Sequence, residues 1–442
     1  MINASHPAER NYPMLSSREL VMRALNFQPV ERIPKDLGGM RSTSISAFAY
    51  PALVAALDLP PRPPRVEDTW QMLALPDLDV LDALGVDVVS ILDGVTNALP
   101  REAQADLWHD YDFGGRLPAQ VRHPEAFVRL EDGTLVQNGS LRMPPGAFVF
   151  DEEHAGQALD LSADLPKLDL KRFRQEVEAG LLRDEEVRAL RALCARVRDA
   201  TDRAVFFNDA SLQAMLGIGA FQGVAIFPML CLTAPDYVHE LHEIVTRRAE
   251  VNIARLMPEI APYIDVAMMA ADDWGTQQRL FASPRVFREL FLPYYRRINE
   301  AMRRHAPGVK RFLHSCGAIY DLIDLLVEAG FEVLNPVQWT AGGRSFQEWK
   351  ARTHGRLALW GGGVNAQRTL ALGTVDEVTR EVREVVSCFA QGSGYVFCNI
   401  HNILAEIPPE KVLAMYRAAD EVTPVWEGPR ERTPGQGAGP AG

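Results

Sequence analysis

Short apolar runs rich in Val, Ile, Leu and Phe alternate with longer stretches of helical periodicity along most of this chain. The runs at 32–37, 86–92, 204–209, 266–272, 310–315, 332–337, 357–361 and 394–399 read as strands buried on both faces. Between them, stretches such as 284–305 and 317–329 place apolar residues at helical spacing, with polar residues on the opposite side. Eight strands separated mostly by helix-sized connections predict an α/β chain whose parallel sheet closes into a (β/α)8 TIM barrel.

The rhythm breaks once. Residues 110–150, between strands 2 and 3, are rich in Gly, Pro and short alternating runs. They predict an inserted small β excursion near 105–155 that folds over the barrel mouth as a wall or lid. Serines precede a helical period at 16–27, which predicts a capping helix beneath the barrel. One barrel domain over 1–425 and a disordered, Gly- and Pro-rich tail over 426–442 complete the expected organisation.

Polar residues with chemical potential fall at the predicted strand ends: Arg41, Asp93, Asp209, Asp272 with Asp273, His314 with Cys316, Asn335 with Gln338, and Cys398 with His401. In a barrel these ends converge on one mouth. His314 and Cys316 are two apart, so an extended backbone points both the same way. Either His/Cys cluster alone reads as a buried thiol beside a hydrogen-bonding imidazole. Two such strand ends together point to a zinc site with an open coordination position.

The remaining candidates each have two readings. Asp272 and Asp273 would orient a ligand histidine or move a proton, or else cap the segment that follows. Asn335 and Gln338 would hydrogen-bond substrate or satisfy loop backbone, and Asp209 is a third substrate-binding candidate. Arg41 would anchor a substrate carboxylate or form a surface ion pair. The segment His239-Glu240-Leu241-His242-Glu243 has its histidines three apart, not the four a metalloprotease helix needs, and reads as a solvated helix.

Composition removes several classes. With 46 Lys and Arg against 58 Asp and Glu among 442 residues, the net charge of −12 leaves no basic excess for a nucleic-acid partner. There is no apolar run of membrane-spanning length, and the first residues lack a signal peptide's apolar core, so a cytoplasmic protein with no membrane association is expected. Five scattered cysteines, at 194, 231, 316, 388 and 398, do not form a disulfide framework. Subunit number is not legible, and a homo-oligomer is left open.

Several segments occur in a family order: Asp272-Asp273-Trp274-Gly275-Thr276-Gln277, His314-Ser315-Cys316-Gly317, Leu334-Asn335-Pro336-Val337-Gln338, Trp360-Gly361-Gly362-Gly363, and His401-Asn402-Ile403 through Pro408-Pro409-Glu410. From about Ser17 to Ala419 the chain resembles the uroporphyrinogen decarboxylase-like superfamily, and within it the branch that includes zinc-dependent, corrinoid-linked methyltransferases. The resemblance implies the barrel independently of the strand pattern. It implies that His314 and Cys316 bind zinc and that the third ligand falls on His401, where the better-known methyltransferases carry cysteine; Cys398 is the alternative. It also implies a small-molecule methyl donor or acceptor and a corrinoid (cobalamin). The Asp-x-His-x-x-Gly corrinoid signature is absent around all ten histidines, so the corrinoid is expected on a separate protein. Tetrapyrrole decarboxylases carry paired arginines in the segment that here reads Asp36 to Thr43, where Arg41 stands alone. The resemblance therefore favours methyl transfer. A metal-free decarboxylase or lyase using Asp93, Asp272 and His401, and a non-catalytic small-molecule binding barrel, are the alternatives.

Overall fold

The computed structural model describes residues 15–152, 164–217, 221 and 223–425. Seven strands pair in parallel and in chain order: β1 (Val88–Leu92), β2 (Ala204–Asn208), β3 (Val266–Ala271), β4 (Lys310–His314), β5 (Val333–Asn335), β6 (Ala358–Trp360) and β7 (Tyr395–Val396). A short strand, Val95–Thr96, folds back antiparallel on β1 and makes the sheet eight-stranded. The hairpin was not visible in the sequence because its apolar signal is only two residues long. The expected tail over 426–442 lies outside the described residues.

The expected first strand, 32–37, is reduced to a single parallel bridge between Lys35 and Phe397. Pro34 has no N–H to donate, and Gly38 turns the chain away at φ 76°. The bridge nonetheless reaches both edges of the sheet. The Asp36 N–H donates to the Phe397 carbonyl at 2.8 Å, and the Asp87 N–H donates to the Lys35 carbonyl at 2.8 Å. The result is a curled, largely parallel sheet consistent with a (β/α)8 barrel.

Side chains on one face of the strands fill the interior of the curl. Val88, Phe206, Met268, Phe312, Val333, Trp360, Val396 and Cys398 form one buried cluster, and Val21 and Leu25 from α1 (Ser17–Leu25) close it from below. Phe206, Phe312 and Trp360 meet edge to face, with ring centroids 4.8, 5.7 and 5.4 Å apart. This layer forms a floor beneath the strand ends. The opposite faces of the strands belong to a larger core shared with the surrounding helices. In α2 (Val375–Phe389), for example, Val378, Val382, Val385, Val386 and Phe389 are buried at helical spacing.

The single helix expected over 284–305 is two helices, Pro284–Leu290 and Leu292–His305. Pro293, in the first turn of the second, cannot continue a preceding helix without a clash. The solvated helix expected around His239 is buried at His242, whose Nδ1 pairs with the Leu290 carbonyl at 2.8 Å inside a box of Phe221, Phe227, Phe291 and Tyr294. Between β1 and β2 lie an antiparallel pair, His109–Asp112 with Pro118–Val121, and a three-stranded sheet, Phe127–Arg129, Leu135–Gln137 and Leu141–Met143. No helix among the described residues is long and apolar enough to cross a membrane.

One irregularity decides what faces the mouth. The pairing of β3 with β4 slips between Met268 and Ala270. Met268 belongs to the interior cluster, whereas Met269 and Ala270 both belong to the outer core. One extra residue reverses the alternation that follows. Asp272 therefore turns outward to the helices, and Asp273 turns to the mouth.

Candidate metal centre

Phe312 of β4 lies in the aromatic floor, so His314, two residues on, emerges from the same face just above it. The chain leaves the strand under tight control. The Cys316 N–H donates to Asp273 Oδ1 at 2.7 Å, and the Gly317 N–H donates to Gln338 Oε1 at 2.7 Å. Gly317 has φ 89° and its backbone lies directly against that of Gly275, so a Cβ at either position would overlap the other loop. His401 arrives from the loop after β7. One ligand atom from each of His314, Cys316 and His401 lies within 4.8 Å of the other two. Cys316 Sγ is 3.4 Å from His314 Nε2, and the two imidazole centroids are 5.7 Å apart.

Both imidazoles are held with the same nitrogen free. The Trp360 carbonyl can only accept, so the Asn335 atom 2.9 Å from it is Nδ2 and Oδ1 faces His314 Nδ1 at 2.7 Å. His314 Nδ1 therefore carries the proton, and Nε2 keeps a lone pair. For His401 the relay is longer. Asp68 accepts from Gln71 Nε2 at 3.1 Å, Gln71 Oε1 accepts from Asn402 Nδ2 at 3.2 Å, and Asn402 Oδ1 faces His401 Nδ1 at 2.8 Å. Burial pulls the His314 pKa below its ordinary value, more than the nearby Asp273 carboxylate lifts it, which keeps the ring neutral. Two imidazoles and one thiol are a donor set that suits zinc, and a partner on each Nδ1 is how metal-binding histidines are held.

The other sequence candidates divide. Cys398 is outside the cluster: it is fully buried in the interior core, and its thiol donates to the Asn399 carbonyl at 3.3 Å. Asp272 accepts the Tyr295 hydroxyl at 2.7 Å on the helix side, and burial raises its pKa to about 6. Asp273 is half-exposed at the mouth, 3.8 Å from His314 Nε2. Arg41 is already paired, with Glu67 at 2.6 Å and Asp93 at 2.7 Å. Burial alone would lower its pKa, but those carboxylates raise it. Arg41 and Asp93 thus neutralise each other and do not stand as a free carboxylate anchor and a free acid. Asp209 accepts the Ser211 N–H at 2.9 Å and caps the turn Ala210–Leu212. Asn335 sits behind His314 as its orienting partner, and only Gln338 of the expected substrate contacts lines the cavity.

That cavity, about 270 Å³, has Cys316, His401, Gln338, Thr340, Gln367 and Thr276 in its wall. No lysine or arginine lines it. Three contributors escaped the sequence reading. Ser42 places Oγ 3.5 Å from His314 Nε2, and Asn402 and Gln71 orient His401. Asn402 stands beside a ligand candidate, which is a signal. Ser42 and Gln71 lie far upstream and carry none.

Residues 212–422, which include all three clustered side chains, match the family described as uroporphyrinogen decarboxylase (URO-D). Over that segment the chain is similar to the uroporphyrinogen decarboxylase family. Proteins named uroporphyrinogen decarboxylase are similar over less than half of the chain. One from Legionella pneumophila (strain Corby) is 26% identical over 185 residues, 42% of this chain and 49% of that protein. Another, from Thioalkalivibrio sulfidiphilus, is 31% identical over 186 residues, 41% of this chain and 48% of that protein. The chain spans about half the length of the curated relatives it matches. A solved methyltransferase from Methanosarcina mazei has a similar fold over 92% of this chain and 98% of its own, with a TM-score of 0.50 and 17% identity.

Proposed function

We propose that this protein is a zinc-dependent methyltransferase that moves a methyl group between a small molecule and a corrinoid carried by a separate protein. The observation that carries the reading is the convergence of His314, Cys316 and His401 within 4.8 Å, both imidazoles presenting Nε2. These three side chains would hold the zinc. A zinc ion there supplies Lewis acidity toward the oxygen, nitrogen or sulfur that bears or receives the methyl group.

The protein's own groups define the rest. Asn335 and Asn402 fix the ligand tautomers. Gln338, Thr340 and Gln367 offer neutral hydrogen-bonding groups to a polar substrate. If the substrate is the methyl donor, the departing methyl group would leave the bonding electron pair on the substrate heteroatom, which would then take up a proton. Asp273, exposed beside Cys316, stands where it can pass that proton from solvent. The corrinoid protein docks at the mouth, with the strands of 109–143 as its contact surface.

Decarboxylation of a tetrapyrrole is disfavoured by charge. A molecule with several carboxylates needs paired cations; the cavity lining has none, and Arg41 is engaged by Glu67 and Asp93. The deciding experiment joins metal analysis of chelator-free protein with methyl transfer from a panel of methylated aromatics, amines and thiols to free cob(I)alamin. About one zinc per chain and zinc-dependent turnover are expected. Activity that survives loss of the metal would support a metal-free lyase, and zinc without any turnover would support a binding barrel.

A further inference from the structure

A second built site lies outside the cavity walled by Cys316 and His401 and shares no lining residue with it. Where the 62–65 segment, the turn Arg101–Leu107 and the strand Pro118–Val121 meet, a cavity of about 400 Å³ is lined by Arg62, Arg65, Arg101, Glu102, Trp108 and Gln120 among others. Three guanidinium groups converge on one carboxylate: Asp77 lies 3.0 Å from Arg62, 2.9 Å from Arg65 and 3.6 Å from Arg101. Asp79 pairs with Arg62 at 2.6 Å. Arg101 also donates to the Pro63 carbonyl and to Gln120 Oε1, at 2.7 and 3.0 Å.

Arg65 is the informative residue. It is 1% exposed, yet among the described residues its Nε and Nη1 have no hydrogen-bond partner, and neither does the indole N–H of Trp108, over whose ring the Arg65 guanidinium sits at 5.7 Å. A buried guanidinium with idle N–H groups is costly, and such groups are rare without a ligand to receive them. We infer that this cavity binds a phosphate-class oxyanion, held by Arg65 and Arg101 with Trp108 and Gln120 at its side. Guanidinium forks match the acceptors of a tetrahedral oxyanion, and several forks converging from different directions suit phosphate better than a planar carboxylate with only two oxygens. Glu102, exposed on the same rim, opposes the anion and makes the charge balance testable in both directions.

The test is isothermal titration of the full chain with inorganic phosphate, with acetate at matched ionic strength as the comparison. Saturable binding of phosphate and little binding of acetate are expected. Arg101→Gln should weaken phosphate by at least about tenfold, the size of one lost charge-assisted contact. Glu102→Gln should tighten it, because a like charge is removed. Both positions are at the rim, so melting curves without ligand should stay close to wild type even if Arg65→Met fails to fold. No saturable phosphate binding, equal binding of acetate, or unchanged binding in both rim variants would overturn the inference.

Discussion

At the scale of single residues, the partners behind the candidate ligands matter as much as the candidate ligands themselves. Asn335 donates to the Trp360 carbonyl and accepts from His314, so it fixes the ring with Nε2 forward. Asn335→Ala is expected to lower zinc affinity by about 10–100-fold while leaving all three ligands in place, as competition with a chromogenic chelator would show. Intact affinity in that variant would mean that His314 is oriented by packing alone. Arg41 makes the opposite point. Its partner Glu67 is almost completely buried, with 2% of the side chain exposed, so Arg41→Ala would strand a carboxylate. A loss of about 3 kcal/mol in urea unfolding is expected; a change in substrate KM with unaltered stability would restore Arg41 as an anchor. The His-x-Cys spacing was legible because strand alternation is local. The competition between His401 and Cys398 was not, since it depends on Cys398 lying on the same inward face as Val396, in the buried cluster inside the curled sheet.

At the scale of elements, a bulge and a pair of glycines set the rim. The slip between Met268 and Ala270 separates the fates of two adjacent acids, which no periodicity in 266–273 announces. The sequence reading therefore gave Asp272 and Asp273 equal standing, whereas the structure leaves only Asp273 at the mouth. Gly317 and Gly275 bring two loops into backbone contact, and Gly317 needs a positive φ that a side chain resists. Gly317→Ala should cost at least about 2 kcal/mol and, by moving Cys316, reduce bound zinc. Thermal melting and metal content measured together check this; a stable variant with full zinc would show that the loops can part. The Asp68, Gln71, Asn402 and His401 relay ties the centre to a segment outside the matched region of 212–422. Gln71→Leu should weaken zinc binding without unfolding the chain, and unchanged affinity would remove Gln71 from the centre.

At the scale of the whole molecule, alternating strands and helices announced the α/β architecture because burial on both faces leaves a distinct run of apolar residues. The strand at 32–37 and the helix at 284–305 were misjudged where proline broke a pattern that hydrophobicity alone continues. Two buried carboxyls also store a pH response. Burial raises Asp36 to about 6, against hydrogen bonds from Thr43, Trp360 and Gly39 that lower it, and Asp272 rises to about 6 in the same way. A carboxyl whose pKa is higher when folded keeps a proton that the unfolded chain has lost. Stability from this source is present at low pH and is lost as pH rises from about 4 to about 6. Asp36→Asn should flatten part of that slope in urea titrations, and an unchanged slope would place the response elsewhere.

The most direct test of the central claim is X-ray absorption at the zinc edge on protein isolated without chelators, beside the Cys316→Ser and His401→Ala variants. A shell with two nitrogens at about 2.0–2.1 Å and one sulfur at about 2.3 Å is expected, with the sulfur missing in the first variant and one nitrogen in the second. Active protein without zinc, or a zinc shell that neither substitution changes, would contradict the account.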